Sequence, residues 1–171
     1  MFNTASLNSE PGRYALIVES MLPPILIFIL GGIFLRPGPE AGKVVKGRPS
    51  PIAFAMIWLL IVTFWLIALV IVALDTLDTL SLVLIGCFSL VCIVACMLWL
   101  GFYKYTSKIL AAKILLMALV SMVATSIVAF SSDTPDDSKT IASVLFGMCS
   151  VWFSIASMFN FLEIQFDPNI T

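Results

Sequence analysis

Histidine is absent from the 171-residue chain, and charge is scarce: nine basic and ten acidic residues leave a formal net charge of −1. Losing imidazole removes the commonest general base, the commonest zinc ligand and the usual proximal haem ligand together. Charged residues make up 11% of the chain, against about 25% in ordinary soluble domains. They cannot coat the surface of an 18.7 kDa globule. No basic stripe is available to neutralise phosphates, so no nucleic acid is expected as a partner. What fills the chain instead is hydrocarbon, with 61% apolar residues and a mean hydropathy of +1.11. That composition excludes a soluble single-domain enzyme and points to a lipid bilayer. No enzymatic activity, metal or resident cofactor is expected.

Cys87, Cys92, Cys96 and Cys149 all fall inside apolar runs, whereas a disulfide framework or zinc site places cysteines in loops at short, regular spacings. They read as small hydrophobes. Cys92 and Cys96 share a helical face, but two thiolates without a third or fourth ligand make a poor metal site.

A membrane-spanning helix needs about 20 mostly apolar residues. Five stretches qualify: Tyr14 to Leu35, Ile52 to Leu74, Leu80 to Tyr103, Ile109 to Phe130 and Ile141 to Leu162. The expected fold is therefore an all-α integral membrane protein, a five-transmembrane-helix bundle over residues 14–163. Tails of 1–13 and 164–171 flank it. The leader MFNTASLNSEPGR carries one base, one acid and no small-residue cleavage site, so the first run reads as a span rather than a signal peptide. Short connections make sequential spans antiparallel neighbours.

Lys and Arg fix the expected orientation. Arg36, Lys43, Lys46, Arg48, Lys104, Lys108 and Lys113 fall on one side, against Arg13 and Lys139 on the other. This predicts a multi-pass protein with its N-terminus outside and its C-terminus in the cytoplasm. The sequon Asn169-Ile170-Thr171 then lies in the cytosol and reads as a chance match.

Several groups stand out against the apolar background. Glu19 in the first span is either an ion, proton or ligand group or a side chain that snorkels to the interface. Pro23-Pro24 kink the same span. Asp75 and Asp78, three apart at a span boundary, are expected to cap a helix rather than bind a cation. In SSDTPDDSK, Asp137 or Ser138 is expected to cap the fifth span. The first loop, RPGPEAGKVVKGRPSP, holds four bases, four prolines and three glycines. It is either a headgroup-binding segment or a lid over the bundle mouth. Ser121, Thr125 and Ala129 repeat small residues every four positions, as do Ser150 and Ser154. Such stripes allow close helix approach, within the bundle or in a homodimer. In the fifth span Trp152, Ala156 and Asn160 line one face, either as a ligand wall or as ordinary packing with Asn160 bonded across helices.

Five spans, a long first loop and a last helix reading VWFSIASMFNF resemble the translocator protein family, also called TspO or tryptophan-rich sensory protein. The family's last helix carries Trp-xxx-Ala-xxx-Asn, matched by Trp152, Ala156 and Asn160. Its Lys-Pro or Arg-Pro entry to helix two is similar to Arg48-Pro49-Ser50-Pro51 leading to Trp58, and its fourth helix to Ala124 through Phe130. The chain departs from the family in lacking the loop tryptophans, the Trp-x-Pro-Pro element and the Asn and Pro residues around Trp99. The resemblance implies a bundle that opens toward the first loop and binds flat hydrophobic molecules such as tetrapyrroles (porphyrins) or sterols, for transport or sensing. By the same resemblance Trp152, Ala156, Phe159, Trp58 and Trp99 would line the cavity. Asn160 would be a pocket or packing group, Arg48-Pro49 would anchor the lid, and a mitochondrial membrane is among the expected locations. The alternative reading is a structural or accessory subunit of a larger membrane assembly, such as a respiratory complex or a virion membrane.

Overall fold

A computed structural model describes Ile17 and residues 50–105 and 108–166. The first span apart from Ile17, the loop 36–49, Glu19, Pro23-Pro24, Arg48, Pro49 and the sequon lie outside the described residues. Among those described, the backbone is helical, with four helices: α1 (Pro51–Asp75), α2 (Thr79–Tyr105), α3 (Lys108–Ser131) and α4 (Asp136–Phe166). They correspond to the second to fifth expected spans. All four are long and apolar enough to cross a membrane.

The helix starts follow local chemistry. Ser50 accepts the Ala53 N–H on its hydroxyl at 3.2 Å, and Pro51, which lacks an N–H, occupies the first helical position. Asp78 opens α2 as expected, its carboxylate accepting Leu80 N–H at 2.9 Å, Ser81 N–H at 3.3 Å and the Ser81 hydroxyl at 2.6 Å. Asp75 does not cap. It ends α1 and accepts the Ser138 hydroxyl from the start of α4. The expected cap at Asp137 or Ser138 is also displaced: α4 begins at Asp136, and the first-turn bond runs from Lys139 N–H to Pro135 carbonyl at 2.9 Å. The capping position therefore falls on Pro135, two or three residues earlier than the acid pattern suggests.

The Ser81 hydroxyl and the Leu80 N–H hold the Asp78 carboxyl below its ordinary value. A depressed folded-state pKa stabilises the fold above the unfolded value, and that contribution disappears as pH falls through the folded one. Asp78→Asn keeps a capping oxygen without a titrating proton. Thermal unfolding at neutral pH and below about pH 4 should therefore show a smaller acid-induced drop in Tm for Asp78→Asn than for wild type. Equal drops would remove Asp78 from the acid response.

Around the bundle, α2 packs along α3, α3 along α4 and α4 along α1. The buried residues of α3 include Ala111, Leu115, Ala118, Met122, Thr125 and Ala129, spaced alternately by four and three. That four-and-three spacing is the one that keeps a helix face turned toward its neighbours, with small residues between large ones. The turn after α1 is fastened to the turn after α3. Thr76 and Thr134 hydroxyls meet at 2.9 Å, Ser132 bonds Thr134 at 2.7 Å, and Leu77 N–H donates to Asp133 carbonyl at 3.2 Å. Elsewhere Thr63, Thr125, Ser143, Ser150 and Ser154 donate to carbonyls four residues back. Such back-bonds let hydroxyls sit in an apolar medium without orphaned polar atoms.

Candidate functional site

Two aromatic turns near the start of α1 and the middle of α4 meet the last turns of α2. Phe54 and Trp58 lie one turn apart on α1, Trp152 and Phe153 are adjacent on α4, and Trp99 faces them from α2. Trp58 is the hub. Its ring stacks on Trp99 at 5.9 Å and meets Trp152 edge-on at 6.2 Å and Phe153 edge-on at 5.6 Å. Phe54 adds a tilted contact to Trp152 at 5.6 Å. Each such pair contributes about 0.5–1.5 kcal/mol beyond area burial. The rings therefore hold one another in contact.

Polar atoms in this cluster divide into two sets. Trp99 Nε1–H donates to Asn160 Oδ1 at 3.3 Å, and Asn160 Nδ2–H donates to the Ala156 carbonyl at 2.8 Å. Asn160 is thus bonded across helices, from α4 to α2. The indole N–H groups of Trp58 and Trp152 are buried without a hydrogen-bond partner, as is the Ser157 hydroxyl. An unpaired buried donor costs about 1–3 kcal/mol, so two in one aromatic cluster call for an acceptor.

Trp152, Ala156, Asn160 and Trp99 are buried, and Trp58 and Phe159 are half-buried. The rings of Trp58, Trp99 and Trp152 form one cluster. Arg48 and Pro49 lie outside the described residues, immediately before the Ser50 cap of α1.

Two buried residues escape a reading by sequence. Trp65 is buried, donates its Nε1–H to Ser89 Oγ at 3.4 Å and meets Phe153 edge-on. It sits two turns along α1 from Trp58, a spacing that could have flagged it. Glu163, only 8% exposed, extends the face of Trp152, Ala156 and Asn160 by three residues. An acid on that buried stripe was the available signal.

Cys92 and Cys96 on α2 and Cys149 on α4 are buried, and the Cys149 thiol donates to Ile61 carbonyl at 3.5 Å. They fill interior space between helices. Among the described residues, no group of three or more metal-ligating side chains could hold an ion. No protein-family model matches the chain, and no curated protein matches it.

Proposed function

We propose that the chain is a multi-pass membrane protein that binds a flat hydrophobic molecule, a tetrapyrrole or a sterol, at the aromatic cluster, in the manner of the translocator protein family. The reading rests on one observation: the indole N–H groups of Trp58 and Trp152 are buried side by side in stacking aromatics with no acceptor. A carbonyl, carboxylate or hydroxyl oxygen on the ligand supplies that acceptor, and the ring faces supply stacking area. Because the rings touch one another, the ligand enters by parting Trp58 from Trp152. Without histidine in the sequence, a tetrapyrrole is held by stacking and indole donors rather than by axial imidazole. The uneven count of bases orients the C-terminus to the cytoplasm.

The test is titration of the purified full chain with protoporphyrin IX, read by tryptophan quenching and Soret absorbance. Wild type should saturate. Trp152→Phe keeps an aromatic ring and deletes the donor, and should weaken binding about three- to tenfold. Non-saturating curves, identical in wild type and Trp152→Ala, would overturn the proposal. A stoichiometric heteromeric partner on native electrophoresis, found together with that failure, would favour the accessory-subunit reading.

A further inference from the structure

The outer face of α3 and α4 carries an open groove of about 340 Å³, lined by Ser126, Ile127, Phe130, Thr140, Ser143 and Val144. It lies about 12 Å along α4 from Trp152, counted from Val144, and is independent of the aromatic cluster. Its floor exists because two small side chains let the helices close, with the Ser126 hydroxyl donating to Ser143 carbonyl at 2.9 Å. The walls, Ile127, Phe130 and Val144, are exposed. Hydrocarbon walls facing outward on membrane-length helices meet acyl chains.

The rim of the groove is charged, and acids outnumber bases among the described residues there. Asp136 and Asp137 lie four and three residues before Thr140 and so sit one turn above it. Lys139 pairs with Asp136 at 2.6 Å and neutralises it. Asp137 stays exposed, as does Asp133 just beyond Phe130. Across the clasp, Asp75 is taken by Ser138 and Asp78 by Ser81. Among the described residues Lys139 is the one cation at this end, so the field over the groove is negative.

We propose that this groove seats an acyl chain of a zwitterionic phospholipid whose headgroup ammonium meets Asp137, with Asp133 reinforcing the attraction. An anionic headgroup placed over the same slot meets uncompensated carboxylates and is rejected, so the rim selects by repulsion as well as attraction.

The test is native mass spectrometry of the detergent-solubilised full chain after incubation with an equimolar mixture of phosphatidylethanolamine and phosphatidylglycerol. Wild type should retain phosphatidylethanolamine, preferred about fivefold for each participating carboxylate. Replacing both rim acids, Asp133→Lys with Asp137→Lys, should reverse the preference. Val144→Trp fills the groove and should abolish retention. The charge variant changes exposed residues only, so it decides the matter even if Val144→Trp misfolds. Retained lipid in the supplied proportion for wild type and charge variant alike would overturn the proposal. So would a lipid-free dimer, which would assign the groove to a second copy of the chain.

Discussion

Trp65→Ala is expected to destabilise the bundle by up to about 3–5 kcal/mol, a large effect for one truncation. Trp65 leads the fully buried side chains by volume, with 1% of its surface exposed. It bridges α1 to α2 through Ser89 and α1 to α4 through the edge of Phe153. In lipid the transfer term shrinks, because acyl chains are as apolar as the bundle interior. What remains is the cavity and the forfeited dispersion attraction of its walls, which the neighbouring helices recover only in part. Trp65→Phe retains most of the ring and loses mainly the long bond to Ser89, at about 0.5–1.5 kcal/mol. Unfolding in mixed micelles titrated with sodium dodecyl sulfate, followed by circular dichroism, separates the two variants. Equal midpoints would show that Trp65 is held by its hydrogen bond rather than by packing.

Ala118→Leu is expected to destabilise by the opposite route, overfilling, and nearly as strongly, at about 1–3 kcal/mol or more. Ala118 is fully buried in the α3 seam, between Leu115 and Met122. Adding three carbons there forces α3 away from its neighbours, and close backbone approach is the main source of helix association in lipid. Val120→Leu is the matched control. Val120 is 62% exposed, so extra carbon at that position meets the surrounding medium. The same mixed-micelle titration should leave Val120→Leu at the wild-type midpoint and shift Ala118→Leu to lower detergent. Equal midpoints for these two variants would mean that the seam yields to added volume.

The buried face of α4 was legible in outline. The spacing of Trp152, Ala156 and Asn160 marks a real interior face of α4, and Asn160 does bond across helices, to Trp99. Trp58 and Trp99 could be nominated only through a family resemblance, because their meeting depends on a separation of about forty residues along the chain. Trp65 and Glu163, also buried, give only a weak signal, their spacing from Trp58 and from Asn160. A tryptophan in a uniformly apolar helix has no contrast with its neighbours, and an acid near a span's end looks interfacial until its surroundings are known. The unpartnered indoles are invisible to sequence altogether, since a missing partner is a property of assembled neighbours.

Helices and their medium came from the chain alone, for a local reason. Span length and hydropathy are set against bilayer thickness residue by residue, and the cap at Asp78 depends on two- and three-residue reach. Which side of each helix turns inward was decided only by the tertiary structure. In water the outward face is polar and periodicity reveals the core; in lipid Leu60, Val120, Ile127 and Val151 stay outside at no cost. Ser121, Thr125 and Ala129 are all buried within the bundle, whereas Ser150 is buried and Ser154 is not. Two stripes alike in sequence thus differ in use, because burial in an apolar solvent is fixed by shape and hydrogen bonding rather than by hydrophobicity.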